Sequence, residues 1–225
     1  MGNNDTIVLL ERVSQGKPVL ITFHKEDIVT KDTREMKFCE AVVEAAFQNR
    51  AVTLTKDTLS CSNAKLVFGF IPTKKDSYNQ CIEKLISKNR FKDYDTAAEA
   101  FSSEIPLSGD YKAVSITPLL PEGTPTFDIA ILFVNAKNAM KLTQAFQYTT
   151  GRPLFFNISG IRSLCSNITA KSLLTNQITL SFGCNDFRET TSVADELMIV
   201  GIPYELISEL LHNLEQIMNG GEQNN

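Results

Sequence analysis

A nearly unbroken run of apolar residues, Ile129 to Val134, constrains the fold of this chain more than any other segment. Because no polar residue interrupts the run at a period of two, a strand there would be apolar on both faces. Strands of this kind are covered by other elements on each side. The sequence therefore predicts a central strand at 128–134 with a packing layer above and below it.

Apolar periodicity and turn residues predict the other elements. Further strands are expected at 18–23, 51–54, 113–117, 154–156, 178–182 and 197–202. Helices are expected at 36–48, 63–70, 78–87, 96–104, 135–148 and 161–174, and from Pro203 to the Gly220-Gly221 pair. Together these predict an α+β (mixed α/β) fold, with a central mixed sheet, covering helices and parallel strand–helix units in the second half.

Particular residues are expected to set the ends and faces of these helices. Asp95 is the predicted N-cap of helix 96–104, and Pro203 is predicted at the first position of the last helix, where its missing N–H costs nothing. An apolar stripe from Leu206 to Met218 predicts that the last helix packs on the sheet strand at 129–134. The inward side chains of helix 135–148 are predicted to be Met140, Thr143 and Phe146.

The length of 225 residues favours a single domain over residues 1–225. If the domain has an internal boundary, it falls near 108–110, at Ser-Gly-Asp. The polar tail, 220–225, is expected to be disordered.

The overall charge argues against nucleic acid as a partner. The chain has 22 basic and 26 acidic residues and a net charge of −4, whereas phosphate binding needs a basic surface. No apolar stretch is long enough to cross a membrane, so no membrane partner is expected. A sparse, odd set of five cysteines and the lack of a signal peptide favour the cytoplasm. The sequence leaves a homo-oligomer open.

Four cysteines occupy places where the chain changes direction, at Cys39, Cys61, Cys165 and Cys184. Loops on rigid scaffolds are where sites are built, and the thiolate binds metals. The four could therefore converge as metal ligands, holding a metal ion or an iron–sulfur cluster. No two cysteines form a close CxxC pair, which is the usual signature of such sites. The fifth cysteine, Cys81, is assigned no function.

The loop after the predicted strand 178–182 is the best candidate for chemistry. Gly183 would let a ligand approach the backbone closely, and Arg188 could lower the pKa of the Cys184 thiol. This pattern predicts a nucleophile at Cys184 activated by Arg188, or a cofactor contact through Gly183, Cys61 and Cys165. Only two histidines are present, so a Ser-His-Asp triad and a histidine-built zinc site are poorly supported.

A set of short motifs occurs in order along nearly the whole chain. They include Phe38-Cys39-Glu40-Ala41-Val42, Cys61 followed by Phe68-Gly69, Leu164-Cys165, Ser181-Phe182-Gly183-Cys184 with Arg188, and Asp195-Glu196-Leu197 with Gly201-Ile202-Pro203. The most specific parts are the Gly183-Cys184 loop with Arg188 and the cysteines in this order. Together they resemble the uncharacterised prokaryotic family numbered 169 among the domains of unknown function. The resemblance covers about residues 7 to 218 and implies no activity, because that family has none established.

Three functions remain open from the sequence. The leading hypothesis is a cytoplasmic protein that binds a small ligand, a metal or an iron–sulfur centre through a pocket lined by the four cysteines. The second is a thiol-dependent enzyme with Cys184 as its nucleophile. The third is a structural or interaction protein whose cysteines are buried and inert. The sequence therefore does not decide whether the protein is an enzyme.

Overall fold

The structure is a computed structural model that describes residues 9–30, 34–72, 75–104, 106–107, 111–120 and 126–222. Its strands are β1 (Val19–His24), β2 (Val52–Thr55), β3 (Ala113–Pro118), β4 (Ile129–Val134), β5 (Thr179–Ser181) and β6 (Met198–Pro203). Its helices begin with a helical stretch over residues 9–13, here α1. The others are α2 (Phe38–Gln48), α3 (Ser62–Val67), α4 (Lys75–Ser87), α5 (Tyr94–Ser102), α6 (Ala136–Thr150), a π-helix (Ser163–Ala170), α7 (Lys171–Thr175), α8 (Asn185–Thr190) and α9 (Tyr204–Glu222).

The strands form one six-stranded sheet in the order β2-β3-β1-β4-β6-β5. All six residues of β4 are buried, as the apolar run predicts. Alternate residues of β4 enter different cores: Ile129, Ile131 and Phe133 face one side. Ala130, Leu132 and Val134 face the other. The α+β fold, with helices covering both faces of a central sheet, is confirmed.

The parallel strand–helix units expected in the second half are not found. Each neighbouring pair in the sheet is antiparallel. Strands β4 and β5 do run in the same direction, since both are antiparallel to β6. They are not neighbours in the sheet, because β6, which comes later in the chain, lies between them and pairs with each.

The two layers of helices are built differently. One core contains side chains of α1, α6 and α9, with Leu142, Leu210 and Leu214 among its buried members. The opposite core contains residues of α2, α3 and the π-helix, such as Val42 and Ile168. Helices α4 and α5 pack around a small core of their own, formed by Ile82, Ala97 and Phe101. This separate pair of helices forms one wall of the cavity described below.

Some local predictions are wrong, each for a local reason. Residues 154–156 form no strand. Helix α5 begins earlier than predicted, so its N-cap is Asp93 and not Asp95; the Asp93 carboxylate accepts a hydrogen bond from the Thr96 N–H at 2.9 Å. Pro203 ends β6, and α9 begins at Tyr204. Met140, predicted to face inward, is 49% exposed, and the buried positions of α6 are Asn138, Leu142 and Ala145.

The chain ends and the proposed internal boundary give further detail. Strands from both sides of 108–110 alternate within the sheet. Residues 108–110 themselves lie outside the described part, and the single-domain organisation stays a prediction. Helix α9 continues past the Gly220-Gly221 pair to Glu222, and residues 223–225 also lie outside the described part. Within the described ranges, no helix combines the length and apolar character needed to cross a membrane.

Candidate functional site

A cavity of about 1080 Å³ opens between the pair α4–α5 and the starts of four other helices. Its wall includes the first residues of α2, α3, the π-helix and α8. The predicted cysteines Cys39, Cys61, Cys165 and Cys184 all line it, and so does Cys81, which was assigned no function. All four predicted cysteines therefore lie in the wall of one cavity, and the close approach of their sulfur atoms stays a prediction.

Each of the four cysteines lies at the beginning of a helix. Cys61 and Cys184 are the N-cap residues of α3 and α8. Cys39 is the second residue of α2, and Cys165 is the third residue of the π-helix. The first turn of a helix leaves its backbone N–H groups without partners in the helix and carries a partial positive charge. The cavity wall is therefore rich in thiols and in backbone hydrogen-bond donors.

Burial keeps two of these thiols protonated at neutral pH. Burial, with smaller contributions from Cys61 and Glu40, raises the pKa of Cys39 to about 12. Burial also raises the pKa of Cys165 well above its ordinary value, and the lowering effect of Arg162 does not offset it. Both therefore present soft, neutral S–H groups to the cavity. A metal ion would have to displace their protons before it could bind them.

The metal prediction for Cys39, Cys61, Cys165 and Cys184 stays a prediction. Among the described residues, no group of three or more histidine, cysteine, aspartate or glutamate side chains is arranged to hold a metal ion. A structural zinc site normally uses four such ligands in a tetrahedron. An ion or cluster would therefore require the thiols to move closer together than they are in this arrangement.

The loop before α8 uses Arg188 and Gly183 in a way that the sequence does not indicate. All three guanidinium nitrogens of Arg188 donate to backbone carbonyls, those of Phe182, Ala194 and Leu197. The Gly183 N–H donates to the Ser181 hydroxyl at 3.1 Å. The guanidinium of Arg188 and the N–H of Gly183 are therefore both engaged in hydrogen bonds within the loop. Arg188 instead closes the loop, and the nucleophilic role of Cys184 stays a prediction.

Gly183 has a backbone conformation and a close packing that the closed loop requires. Its φ is +88°, in the left-handed region that favours glycine. A Cβ atom there would lie 2.9 Å from the Arg188 Nε and 2.9 Å from the Phe187 ring. Gly183 therefore has a steric role in the loop, and its predicted cofactor contact stays a prediction.

A buried ion pair beside the cavity was missed by sequence reasoning. The Arg162 guanidinium donates to a Glu104 carboxylate oxygen at 2.7 Å, and only 9% and 6% of the two side chains are exposed. It also donates to the Asn63 side-chain oxygen at 3.0 Å and lies 4.0 Å above the centre of the Phe101 ring. The same Asn63 oxygen accepts from the Cys81 thiol at 3.4 Å. These contacts join α3, α4, α5 and the π-helix into one polar network.

The network leaves polar atoms unpaired. The Arg162 Nε, one Glu104 carboxylate oxygen and the Ser163 hydroxyl are buried, and none has a hydrogen-bond partner among the described residues. Buried polar groups without partners are costly and uncommon in folded proteins. Arg162 also has a φ of +44°, an unusual backbone conformation for a residue with a side chain. Unpaired atoms and backbone strain of this kind occur together at binding sites.

The π-helix that follows Arg162 is itself unusual. Its eight residues are all buried, and the Thr169 hydroxyl donates to the Leu164 carbonyl at 2.8 Å. The Ile168 carbonyl approaches Gly201 of β6 so closely that a Cβ atom there would lie 2.5 Å from it. Helices of the π type are rare, and short ones occur frequently at functional sites. The tight contact with β6 holds Arg162, Ser163 and Cys165 at the cavity.

Glu104 gives the site a predicted pH dependence. Burial raises the pKa of Glu104 to about 7, although Arg162 lowers it. The pKa of Glu104 in the folded protein is higher than its ordinary value of 4.5. The protonated carboxyl therefore stabilises the folded state fully below about pH 4.5, and this stabilisation is lost as the pH rises through about 7. We expect Glu104 to lower the free energy of unfolding by at most about 3 kcal/mol between about pH 5 and about pH 8.

Urea unfolding of wild type and Glu104→Gln at the two pH values measures this contribution. The variant should lose that part of the pH dependence, whereas Glu99→Gln, at an exposed position of the preceding helix α5, should keep it. Equal pH dependence in wild type and Glu104→Gln would show that the carboxyl titrates near its ordinary pKa.

The comparisons with known proteins agree with the motifs found in the sequence. The chain is 24% identical over 217 residues to the uncharacterized protein MJ0308 of Methanocaldococcus jannaschii, covering 92% of this chain and 91% of that protein. No solved structure matches the chain. The model of the family DUF169, described as "Uncharacterised ArCR", matches residues 14–213. That match covers most of the 225 residues, so the chain belongs to the DUF169 family.

Proposed function

We propose that this protein binds a small organic molecule in the cysteine-lined cavity, in the cytoplasm. The observation that carries the proposal is the presence of all five cysteines in the wall of one cavity of about 1080 Å³. Ligand sites for small molecules typically enclose about 300–1000 Å³. A bare metal ion needs far less space, and the volume therefore favours an organic ligand over an ion.

The composition of the wall supports the same ligand class. Apolar side chains such as Phe38, Leu66 and Leu164 line the cavity together with the neutral thiols. Polar and charged side chains make up nearly half of the lining residues, among them Lys84, Arg90 and Arg162. Small-molecule sites combine apolar surface with polar groups that orient the ligand, and this wall supplies both. The thiols would then contribute soft contacts to the bound molecule.

The two other hypotheses remain alternatives with less support. A thiol enzyme would need a group that activates Cys184, and Arg188 is engaged with three backbone carbonyls. A purely structural role would explain the burial of Cys165 but not the large space beside it. A metal or an iron–sulfur cluster is a further alternative, and the experiment below includes it.

The test is a fragment screen, detected by NMR on the protein purified without oxygen. Gly160→Trp is the blocking variant, because Gly160 lines the cavity and a Cβ atom there meets nothing within 4 Å. Lys137→Trp is the matched control, placed at an exposed position of α6 away from the cavity. We expect fragments that shift the signals of cavity residues in wild type and in Lys137→Trp, and that no longer bind Gly160→Trp.

The other outcomes assign the alternatives. If no fragment shifts cavity signals, or if fragments bind Gly160→Trp equally well, the small-molecule proposal is wrong. Titration of the same sample with Zn²⁺ tests the metal alternative: stoichiometric binding that releases protons and is lost in Cys61→Ser, without any cavity fragment, would replace the organic ligand by a metal. Binding of neither would leave the cysteines as structural residues.

A further inference from the structure

We propose that the start of the π-helix, at Arg162 and Ser163, binds an oxyanion of the ligand, a carboxylate or a phosphate. This inference rests on the proposed function, since it names the ligand group that the cavity would hold. It is carried by donor atoms that the fold leaves unpaired, by the charges of the cavity wall and by the backbone of the first helical turn.

Two adjacent side chains at the cavity wall each keep a buried donor without a partner. The Arg162 side chain is only 9% exposed, and its other nitrogens are held by Glu104 and Asn63 while its Nε has no partner among the described residues. The Ser163 hydroxyl is likewise unpaired, and Ser163 is fully buried. Both residues line the cavity. A carboxylate or phosphate could accept from both donors at once.

The arrangement of Arg162 favours recognition of a ligand over mere ion pairing. Glu104 and Asn63 hold one nitrogen each, and the Phe101 ring covers the guanidinium face. These contacts fix the plane of the guanidinium and so orient the unpaired Nε before a ligand arrives. A planar, preoriented guanidinium is well suited to carboxylate and phosphate groups. Glu104 competes for the positive charge, but its contact uses a nitrogen other than Nε.

The charges around the cavity have the sign that an anionic ligand requires. The chain as a whole carries a net charge of −4. The cavity wall has the opposite balance, with Asp186 as its acidic side chain and with basic side chains at Lys37, Lys84, Lys88, Arg90 and Arg162. Lys88 and Arg90 form exposed ion pairs with Asp186 and Glu189. Lys37 pairs with Glu40 and Arg162 with Glu104. Among the basic residues of the wall, Lys84 has no ion-pair partner within the described ranges and adds an unbalanced positive charge there.

The backbone adds donors at the same point. The π-helix has eight residues and continues into α7, and its first residues leave N–H groups without partners in the helix. Anions bind at helix starts because these N–H groups and the helix dipole favour negative charge. At this helix start the unpaired Arg162 Nε and Ser163 hydroxyl stand beside the free N–H groups, so side chains and backbone point to the same ligand group.

The test follows the Nε–H resonance of Arg162 by NMR while the full-length protein is titrated with inorganic phosphate and, separately, with acetate at constant ionic strength. We expect a saturable shift with at least one of these anions. Ser163→Ala should weaken binding about tenfold or more, since a hydrogen bond to a charged group is lost. Its thermal stability without the anion should be unchanged or higher, because an unpaired buried hydroxyl has been removed.

The controls separate this inference from non-specific binding and from the proposed function. The exposed Arg152 reports general screening, and Ser87→Ala, on the exposed surface of α4, should leave binding unchanged. If the Arg162 resonance moves no more than that of Arg152, or if Ser163→Ala binds as wild type does, the inference is overturned. Fragments that bind the cavity without any anion effect would leave the proposed function standing alone. Anion binding without any fragment in the cavity would support the anion site at Arg162 and Ser163 and would reject the organic ligand.

Discussion

Replacing Arg162 with methionine is expected to lower the free energy of unfolding by roughly 3–5 kcal/mol above neutral pH. The variant leaves the Glu104 carboxylate without its partner while 94% of that side chain stays buried, since only 6% is exposed. It also removes the donor to Asn63 and the cation above the Phe101 ring. Because Arg162 lowers the pKa of Glu104, which is about 7 in wild type, its removal raises that pKa further, and the loss should grow as the pH rises above 7.

Urea unfolding of Arg162→Met, Glu104→Gln and the double variant above neutral pH separates the pair from its parts. The double variant should be more stable than Arg162→Met, because it carries no unpaired buried charge. Arg90→Met is the matched control: its ion pair with Glu189 is exposed, and its loss should cost less than about 1 kcal/mol. A cost for Arg162→Met no larger than for Arg90→Met would show that Glu104 is solvated in the folded protein.

The parts of the fold that follow from local patterns could be predicted from the sequence. The apolar run of β4 predicts burial on both faces, because side chains of a strand alternate with a period of two. The stripe of α9 predicts its buried face for the same kind of reason. Strand order depends instead on contacts distant in sequence. No local pattern places β6 between β4 and β5. The relative direction of neighbouring strands in the second half was therefore predicted incorrectly.

The cysteine positions could be predicted because each occurs at the start or end of an apolar pattern. The turn before Cys61 and the strand before Cys184 place both residues at element ends, where side chains meet at one edge of a layer. Cys81 gave no such signal, because it lies in the middle of α4 and reaches the cavity only through the packing of α4 against α5. Prediction of its position would have required the contacts between those two helices.

The buried ion pair had no sequence signal that could have identified it. Glu104 and Arg162 are 58 residues apart in the chain, and charged side chains such as these are usually exposed. Asn63 completes the network from a third element. Only the three-dimensional fold brings these groups together. The unpaired atoms from which we infer the anion site are therefore visible only in the structure.

Leu210→Ala is expected to lower the free energy of unfolding by roughly 2–5 kcal/mol, the usual cost of truncating a buried leucine. Leu210 is 3% exposed and belongs to the core formed by α9, α6 and β4. The backbone of α9 should not suffer, because alanine favours helices at least as well as leucine does. The loss would therefore report the packing of α9 against the sheet, which supports β4 and β6 from the side opposite the cavity.

Leu174→Ala is the matched control, since it makes the same substitution in helix α7 at a side chain that is 43% exposed. It should cost less than about 1 kcal/mol, in keeping with surface substitutions. Urea unfolding of both variants measures the difference, and an unchanged dependence on urea concentration would confirm that the unfolded state is unaffected. If Leu210→Ala costs no more than Leu174→Ala, α9 does not support the sheet. In that case α1 and α6, which share the core with α9, must support that face of the sheet.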